Sequence, residues 1–272
     1  MKILTRLGFS KNIMKGTSVV TVKKLYDKLT ESIPESLSCE WDNDGIMCSS
    51  DYSSEVNNIL ITLDVTEEIV DYAISRNFDL IISHHPLIFK PLSHITEENH
   101  VSRKVIKLIS NNVSVFSFHT RADRVEGGVN DLLANIIGLV DVEPFGEDGL
   151  GRVGNLPEER ELDEFADIIK MQLGADGVRI ADAYNTVKRV ALVGGDGKDY
   201  VKDAIACGAD TYLSGRLSYN IMEEASDMGI NLVEAGHYFT EFPVTDFFSS
   251  LVSRVDGNAY IEIADSNMIK LI

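Results

Sequence analysis

The apolar positions of this chain keep switching between two spacings. "NNILITLD" (57–64) holds its β-branched and apolar residues in a near-continuous run, the pattern of a strand buried on both faces. "VTEEIVDYAISR" (65–76) spaces them by three and four, as a helix with one buried stripe does, and "FDLIIS" (78–83) is a strand again. That is a βαβ unit. The same reading predicts a helix around 100–110, a strand over 113–118 and a helix within 127–139. Farther on, it predicts strands over 189–194, 211–214 and 231–236 and helices over 198–208, 218–229 and 242–254. Strands alternating with helices predict an α/β fold of mainly parallel sheets flanked by helices. Between the two series, "PFGEDGLGRVGNLPEERE" (144–161) is rich in Gly, Pro and acid and reads as a linker. The expected organisation is an N-terminal tail over 1–18, with Met14 a candidate start, a first α/β lobe over 19–145, and a linker with a second α/β lobe over 146–272.

The lobes are internally related. Laid on 191–216 at a shift of 131, residues 60–85 place Ala73 on Ala204, Ile74 on Ile205, Asp79 on Asp210 and Ser83 on Ser214. After the next helix the shift becomes 118, setting His119 over His237 and Asp123 over Glu241. The change reflects a loop-sized insertion near "KPLSHITEENH" in the first copy. Four identities weigh little alone; their coincidence with the element pattern carries the repeat.

Charge narrows the partners. A net charge of −18 repels a phosphate backbone, so bulk nucleic acid is not expected, while small molecules and protein partners are. No apolar run approaches the roughly 18 residues of a membrane span, and charges interrupt the opening segment where a signal peptide would be apolar. A cytoplasmic location without membrane association is expected. Cys39, Cys48 and Cys207 are odd in number and scattered, which suits a reducing compartment and ordinary core or half-buried thiols.

Candidate chemistry gathers at strand ends. His84 and His85 directly follow 78–83, His119 with Asp123 follows 113–118, and His237 with Glu241 follows 231–236. In parallel sheets, ligand groups converge at the carboxyl ends of strands. Pro86 opposes a continuing strand, so a turn there lets both neighbouring imidazoles serve one site. A spacing of four puts each later histidine and its acid on one face of a helical turn. A single histidine at such a place is more often a hydrogen-bonded structural residue, but four of the six at equivalent ends favour a shared metal site. Four imidazoles and two carboxylates exceed the needs of one tetrahedral ion and suit a pair of ions sharing a carboxylate. His94 and His100 lie in the insertion and read as solvated. Asp64 either caps the next helix or orients a ligand. "EWDNDG", with the only Trp, reads as a loop-closing turn near the site, and "VGGDGKD" (193–199) as a tight βα turn rather than an anion loop.

With "EWDNDGI" (40–46), "SHHPLIF" (83–89), "HTRADRVEGGVNDLLA" (119–134), "GLGRVGNL" (149–156) and "GHYFTE" (236–241) in this order, the chain resembles the GTP cyclohydrolase I type 2 homologues, also described as Nif-three-like dinuclear-metal proteins, over roughly residues 19–272. The resemblance implies two interlocked α/β lobes, toroidal homohexamers and a two-metal site on the wall of an internal cavity. By motif position it assigns His84, His85, Asp123, His237 and Glu241 as metal ligands, with Glu241 the bridge. It places His119 beside the site and, with Glu241, in the catalytic group. It implies two divalent transition-metal ions per chain, Zn, Fe, Mn, Co or Ni, and a metal-dependent hydrolase of a nucleotide or related heterocycle, like GTP cyclohydrolase I. A metal-binding, regulatory or metal-delivery hexamer without turnover stays open. Longer members carry an extra domain between the halves, which the short 144–185 segment lacks. Arg216 stands where many members have an acid, and Tyr219 and Asn220 near where a histidine is often found. Opposite His85 in the repeat, Arg216 either meets a phosphate or carboxylate or is a surface guanidinium.

Overall fold

The computed structural model describes residues 19–272, so the tail over 1–18 and Met14 lie outside the described residues. In chain order its strands are β1 (Gly45–Cys48), β2 (Asn58–Thr62), β3 (Leu80–Ser83), β4 (Ser114–Ser117), β5 (Val140–Phe145), β6 (Gly151–Arg160), β7 (Arg179–Ala181), β8 (Val187–Val193), β9 (Thr211–Ser214), β10 (Asn231–Glu234) and β11 (Tyr260–Ile263). Two sheets form, ordered β1-β4-β3-β2-β11 and β5-β6-β8-β9-β10-β7. The chain divides into two compact units. One runs to Ala122 and takes in Thr245–Ser266; the other is Asp123–Val244 with Asn267–Ile272.

In the first unit β11, β2, β3 and β4 are parallel and β1 closes the edge antiparallel to β4. Ile59, Leu60 and Ile61 and Leu80, Ile81 and Ile82 are all buried, which is why these strands read as continuous apolar runs. The helices Glu67–Ser75 and His100–Ser110 begin where the side chains of Thr66 and Asn99 accept backbone N–H groups. Their apolar stripes, Val70 and Ala73 on one and Val105 and Leu108 on the other, pack with Leu60, Ile81 and Val115 in one core. Cys48 lies in this core, and burial pushes its thiol up to about 12.

In the second unit parallel pairing is confined to β8, β9 and β10, while β5, β6 and β7 pair antiparallel at the flanks. The segment read as a linker is largely strand: β6 spans Gly151–Arg160 and pairs with both β5 and β8. Its glycines permit close packing, since a Cβ on Gly151 would lie 2.2 Å from Phe145 Cε1. Pro157, which lacks the N–H of a ladder, falls within a register shift between Asn155 and Arg160. The helix Leu162–Leu173 ends on Gly174, left-handed at φ +64°, and buries Phe165 and Ile169.

The repeat is present in the registers. Thr62 pairs with Ser83 and Val193 with Ser214, both related by the shift of 131. The shared aspartates do the same work. Asp79 Oδ2 accepts the N–H groups of Asn57 and Asn58, and the Asp210 carboxylate accepts those of Lys188 and Arg189, each tying a neighbouring strand's start. Past the strands, Phe118 N donates to Ser83 O and Ala235 N to Ser214 O, a shift of 117. The extra residue that restores 118 at the histidines is Gly236, at φ +89°. Among the described residues no helix is long and apolar enough to cross a membrane.

Candidate metal centre

The β3 strand ends at Ser83, whose hydroxyl donates to the carbonyl of His85 and so holds the turn that Pro86 predicts. His84 is fully buried, with Nδ1 3.0 Å from the carbonyl of Phe118. His85 Nδ1 lies 2.7 Å from Asp64 Oδ1, and His119 Nδ1 lies 2.8 Å from Asp42 Oδ1. A carbonyl or carboxylate oxygen only accepts, so each Nδ1 is the donor in its contact. This is the outer hydrogen bonding of metal-binding imidazoles, which fixes tautomer and ring direction and raises donor strength. His84, His85 and His119 each offer a ring nitrogen, and the three lie within 4.8 Å of one another. The three nitrogens could therefore hold a metal ion, and imidazole donors suit a transition metal.

Asp64 thus orients His85; the helix after it is capped by Thr66 instead. Asp42, in the stretch read only as a loop-closing turn, supports the site directly. Burial alone would raise its carboxyl, but hydrogen bonds from His119 and Thr120 outweigh it and hold the group well below the usual carboxylate range. Nearby Asp44 pairs with the buried Arg121 at 3.0 Å, so both aspartates of "EWDNDG" tie the loop to the turn after β4.

In the second unit the expected helical turn follows β10 as the helix His237–Glu241. One turn apart, His237 Nε2 and Glu241 Oε2 meet at 2.9 Å, with the Glu241 carboxylate almost wholly buried. Asp123, half-buried, sits in the matching short helix Thr120–Arg124. What lets the donor helix lie close is a set of glycines that the motif reading passed over. A Cβ on Gly195 would lie 2.0 Å from Glu241 Oε1, and one on Gly215 would lie 2.5 Å from Thr240 Oγ1, 2.7 Å from Gly195 O and 2.8 Å from His237 Cα. At the shift of 131 these positions face Asp64 and His84, so the first copy has a supporting acid and a donor where the second has bare backbone.

The loop around Gly195 is not an anion cradle. Its amides are used inside the protein: Gly194 donates to Asn130 Oδ1, Gly195 to Thr240 Oγ1 and Gly197 to Ser214 Oγ. Arg216 is exposed, its Nη1 3.7 Å from Asp196 Oδ2. His94 and His100 are exposed, as the insertion reading expects.

The sequence profile of the family described as Duf34/NIF3 (NGG1p interacting factor 3) matches residues 20–270. A Clostridium perfringens protein named GTP cyclohydrolase 1 type 2 homolog is 37% identical over 233 residues, which cover 83% of this chain and 88% of that relative. A solved Staphylococcus aureus hypothetical protein superposes with a TM-score of 0.85 at 25% identity, over 94% of this chain and 100% of the other. A Bacillus cereus protein related to NIF3 superposes at 0.83 with 23% identity, over 94% and 100%.

Proposed function

The chain belongs to the Duf34/NIF3 family, and on that premise we propose that it is a dinuclear-metal hydrolase of a nucleotide or related heterocycle, working as a homohexamer. The observation that carries the reading is the histidine trio, whose three Nδ1 atoms are each held by an acceptor, so that the Nε2 atoms of His84 and His85 can serve as ligands and that of His119 can exchange a proton. His84, His85, Asp123, His237 and Glu241 would hold two divalent ions, Zn, Fe, Mn, Co or Ni, with Glu241 as the shared carboxylate. When bound, such ions supply Lewis-acid polarisation of an electrophilic carbon or phosphorus and acidify water. The protein's part is positional and electrostatic. Asp64 and Asp42 hold the rings of His85 and His119 in one tautomer, and the close packing at Gly195 keeps the Glu241 carboxylate in place. His119, oriented by Asp42 beside the donors, is the side chain we assign to proton transfer with the substrate.

The test is elemental analysis of reconstituted protein, with light scattering and a hydrolysis assay on GTP and a small phosphoester panel. Two ions per chain, six chains per particle and turnover are expected, and Glu241→Gln should lose at least one ion together with turnover. A reproducible metal content near zero after reconstitution sinks the dinuclear reading. Two tightly bound ions without turnover on any member of the panel would instead favour the storage or delivery hexamer.

A further inference from the structure

Two of the chain's large apolar side chains stand in solvent beside the histidine trio. Trp41 is 64% exposed and Phe89 46% exposed. Their ring centroids are 6.2 Å apart at 68°, and both rings stand steeply to His119, Trp41 at 6.1 Å and 77° and Phe89 at 6.2 Å and 87°. The three rings form a corner of mutually steep planes, a span comparable to one fused bicyclic ring. The backbone beneath them is anchored. Asp42 is held by His119 and Thr120, Asp44 by Arg121, and the side-chain amide of Asn43 donates to the carbonyl of Ile88, one residue before Phe89. The chain after Trp41 and before Phe89 is pinned while the aromatic side chains are exposed, an arrangement that packing of the core does not require.

We infer that Trp41 and Phe89 are a stacking platform for the planar heteroaromatic ring of the substrate, next to His119. The inference rests on the proposed metal-dependent hydrolase and names how its substrate is held. A ring laid on the face of one aromatic meets the other steeply, so offset stacking and edge-to-face contact are made together. Such contact is neutral and tolerant of the base, which suits a chain of net charge −18 that repels polyanions. A folded protein partner would need a far wider apolar surface than two rings.

Trp41 is the chain's single tryptophan, so its emission reports directly on the platform. Guanosine 5′-monophosphate and adenosine 5′-monophosphate should quench it saturably, in metal-loaded and in metal-stripped protein, whereas ribose 5-phosphate should not. Phe89→Leu should weaken guanosine monophosphate binding by roughly 5- to 100-fold, with the metal content of the parent unchanged. Trp41→Leu, followed by calorimetry, should show a comparable loss, and circular dichroism checks that both variants fold. Two bound ions with no nucleotide quenching, or equal quenching by ribose 5-phosphate, overturns the platform and leaves the metal reading standing. Saturable quenching together with a metal content that stays near zero after reconstitution overturns the metal reading and leaves the platform. Emission that changes with protein concentration and ignores nucleotide overturns the platform in favour of a second copy covering Trp41.

Discussion

Replacing Gly195 with alanine would separate the geometry of the donors from the stability of the fold. The new methyl carbon would sit 2.0 Å from Glu241 Oε1, 2.9 Å from Cδ and 3.2 Å from His237 Nε2. Because Cβ atoms essentially never approach another atom within 3.0 Å, the carboxylate oxygen must retreat by 3.0 − 2.0 = 1.0 Å. Metal sites tolerate departures of only about 0.2 Å from ideal ligand distances. The affinity for at least one ion should therefore fall by no less than roughly 10-fold. Gly195 also has φ +66°, and a β-carbon in the left-handed region costs about 1–2 kcal/mol. Glu241 is the flexible partner and can swing aside, so stability should lose little beyond that backbone cost. Gly174 is the matched control, with φ +64° and nothing within 4 Å of the place its new methyl group would take. Both Gly195→Ala and Gly174→Ala should lower the thermal midpoint of the metal-stripped protein by about 2–8 °C, at roughly 2–4 °C per kcal/mol. Only Gly195→Ala should lose metal. Competition against a chromophoric chelator gives the affinities and circular dichroism the midpoints. If Gly195→Ala holds its ions as tightly as Gly174→Ala and the parent do, Glu241 is not a ligand held by this cradle.

Asp64→Asn should weaken metal binding roughly 10- to 100-fold, because the His85 imidazole loses its charged acceptor, and excess metal should restore occupancy, whereas Asp42→Asn, which among the imidazoles frees only His119, should lower turnover with the parent's metal content; an unchanged affinity in Asp64→Asn would show that its bond does not support a ligand. Asp79→Ala and Asp210→Ala each strip a charged acceptor from two backbone N–H groups, and each should cost about 1.5–3 kcal/mol in urea unfolding, with a loss below half a kcal/mol counting against the shared role. Cys48 has its folded-state thiol raised, so its contribution is fully present below the unfolded pKa near 9 and is lost as pH rises toward about 12. Between pH 8 and 10 that loss should be about 1.4 kcal/mol, and Cys48→Ala should show an alkaline slope shallower by that amount; equal slopes would mean the thiol is not what titrates.

Legibility in the sequence followed burial. β2, β3, β8 and β9 bury both faces, so their apolar runs announce them, and each predicted range overlaps the observed strand. β6 hides because its glycines answer a close approach by β5 and its proline falls in a register shift, and both letters imitate a linker. β11 pairs with β2 from just over 200 residues away in sequence, as Tyr260 against Asn58 shows, a partnership that no local window contains. The candidate ligands stood out because histidine and acid at strand ends are chemically conspicuous. Asp42 did not, because its role exists only once His119 is folded back onto the loop.

The glycines were hidden for a different reason, and the repeat would have exposed them. At a shift of 131, Gly195 stands opposite Asp64 and Gly215 opposite His84, so asking what stands opposite these two residues leads to both. The answer is steric. In the first unit the strand ends present side chains, while in the second they yield room for the helix His237–Glu241 to present them instead. A histidine placed at Gly215 would set its Cβ 2.7 Å from Gly195 O and 2.8 Å from His237 Cα, and both of those atoms are backbone that a rotamer change cannot move. A histidine at the Gly215 strand end and the helix His237–Glu241 in its present place therefore exclude each other, whereas the first copy carries both a histidine at its strand end, His84, and the matching short helix Thr120–Arg124.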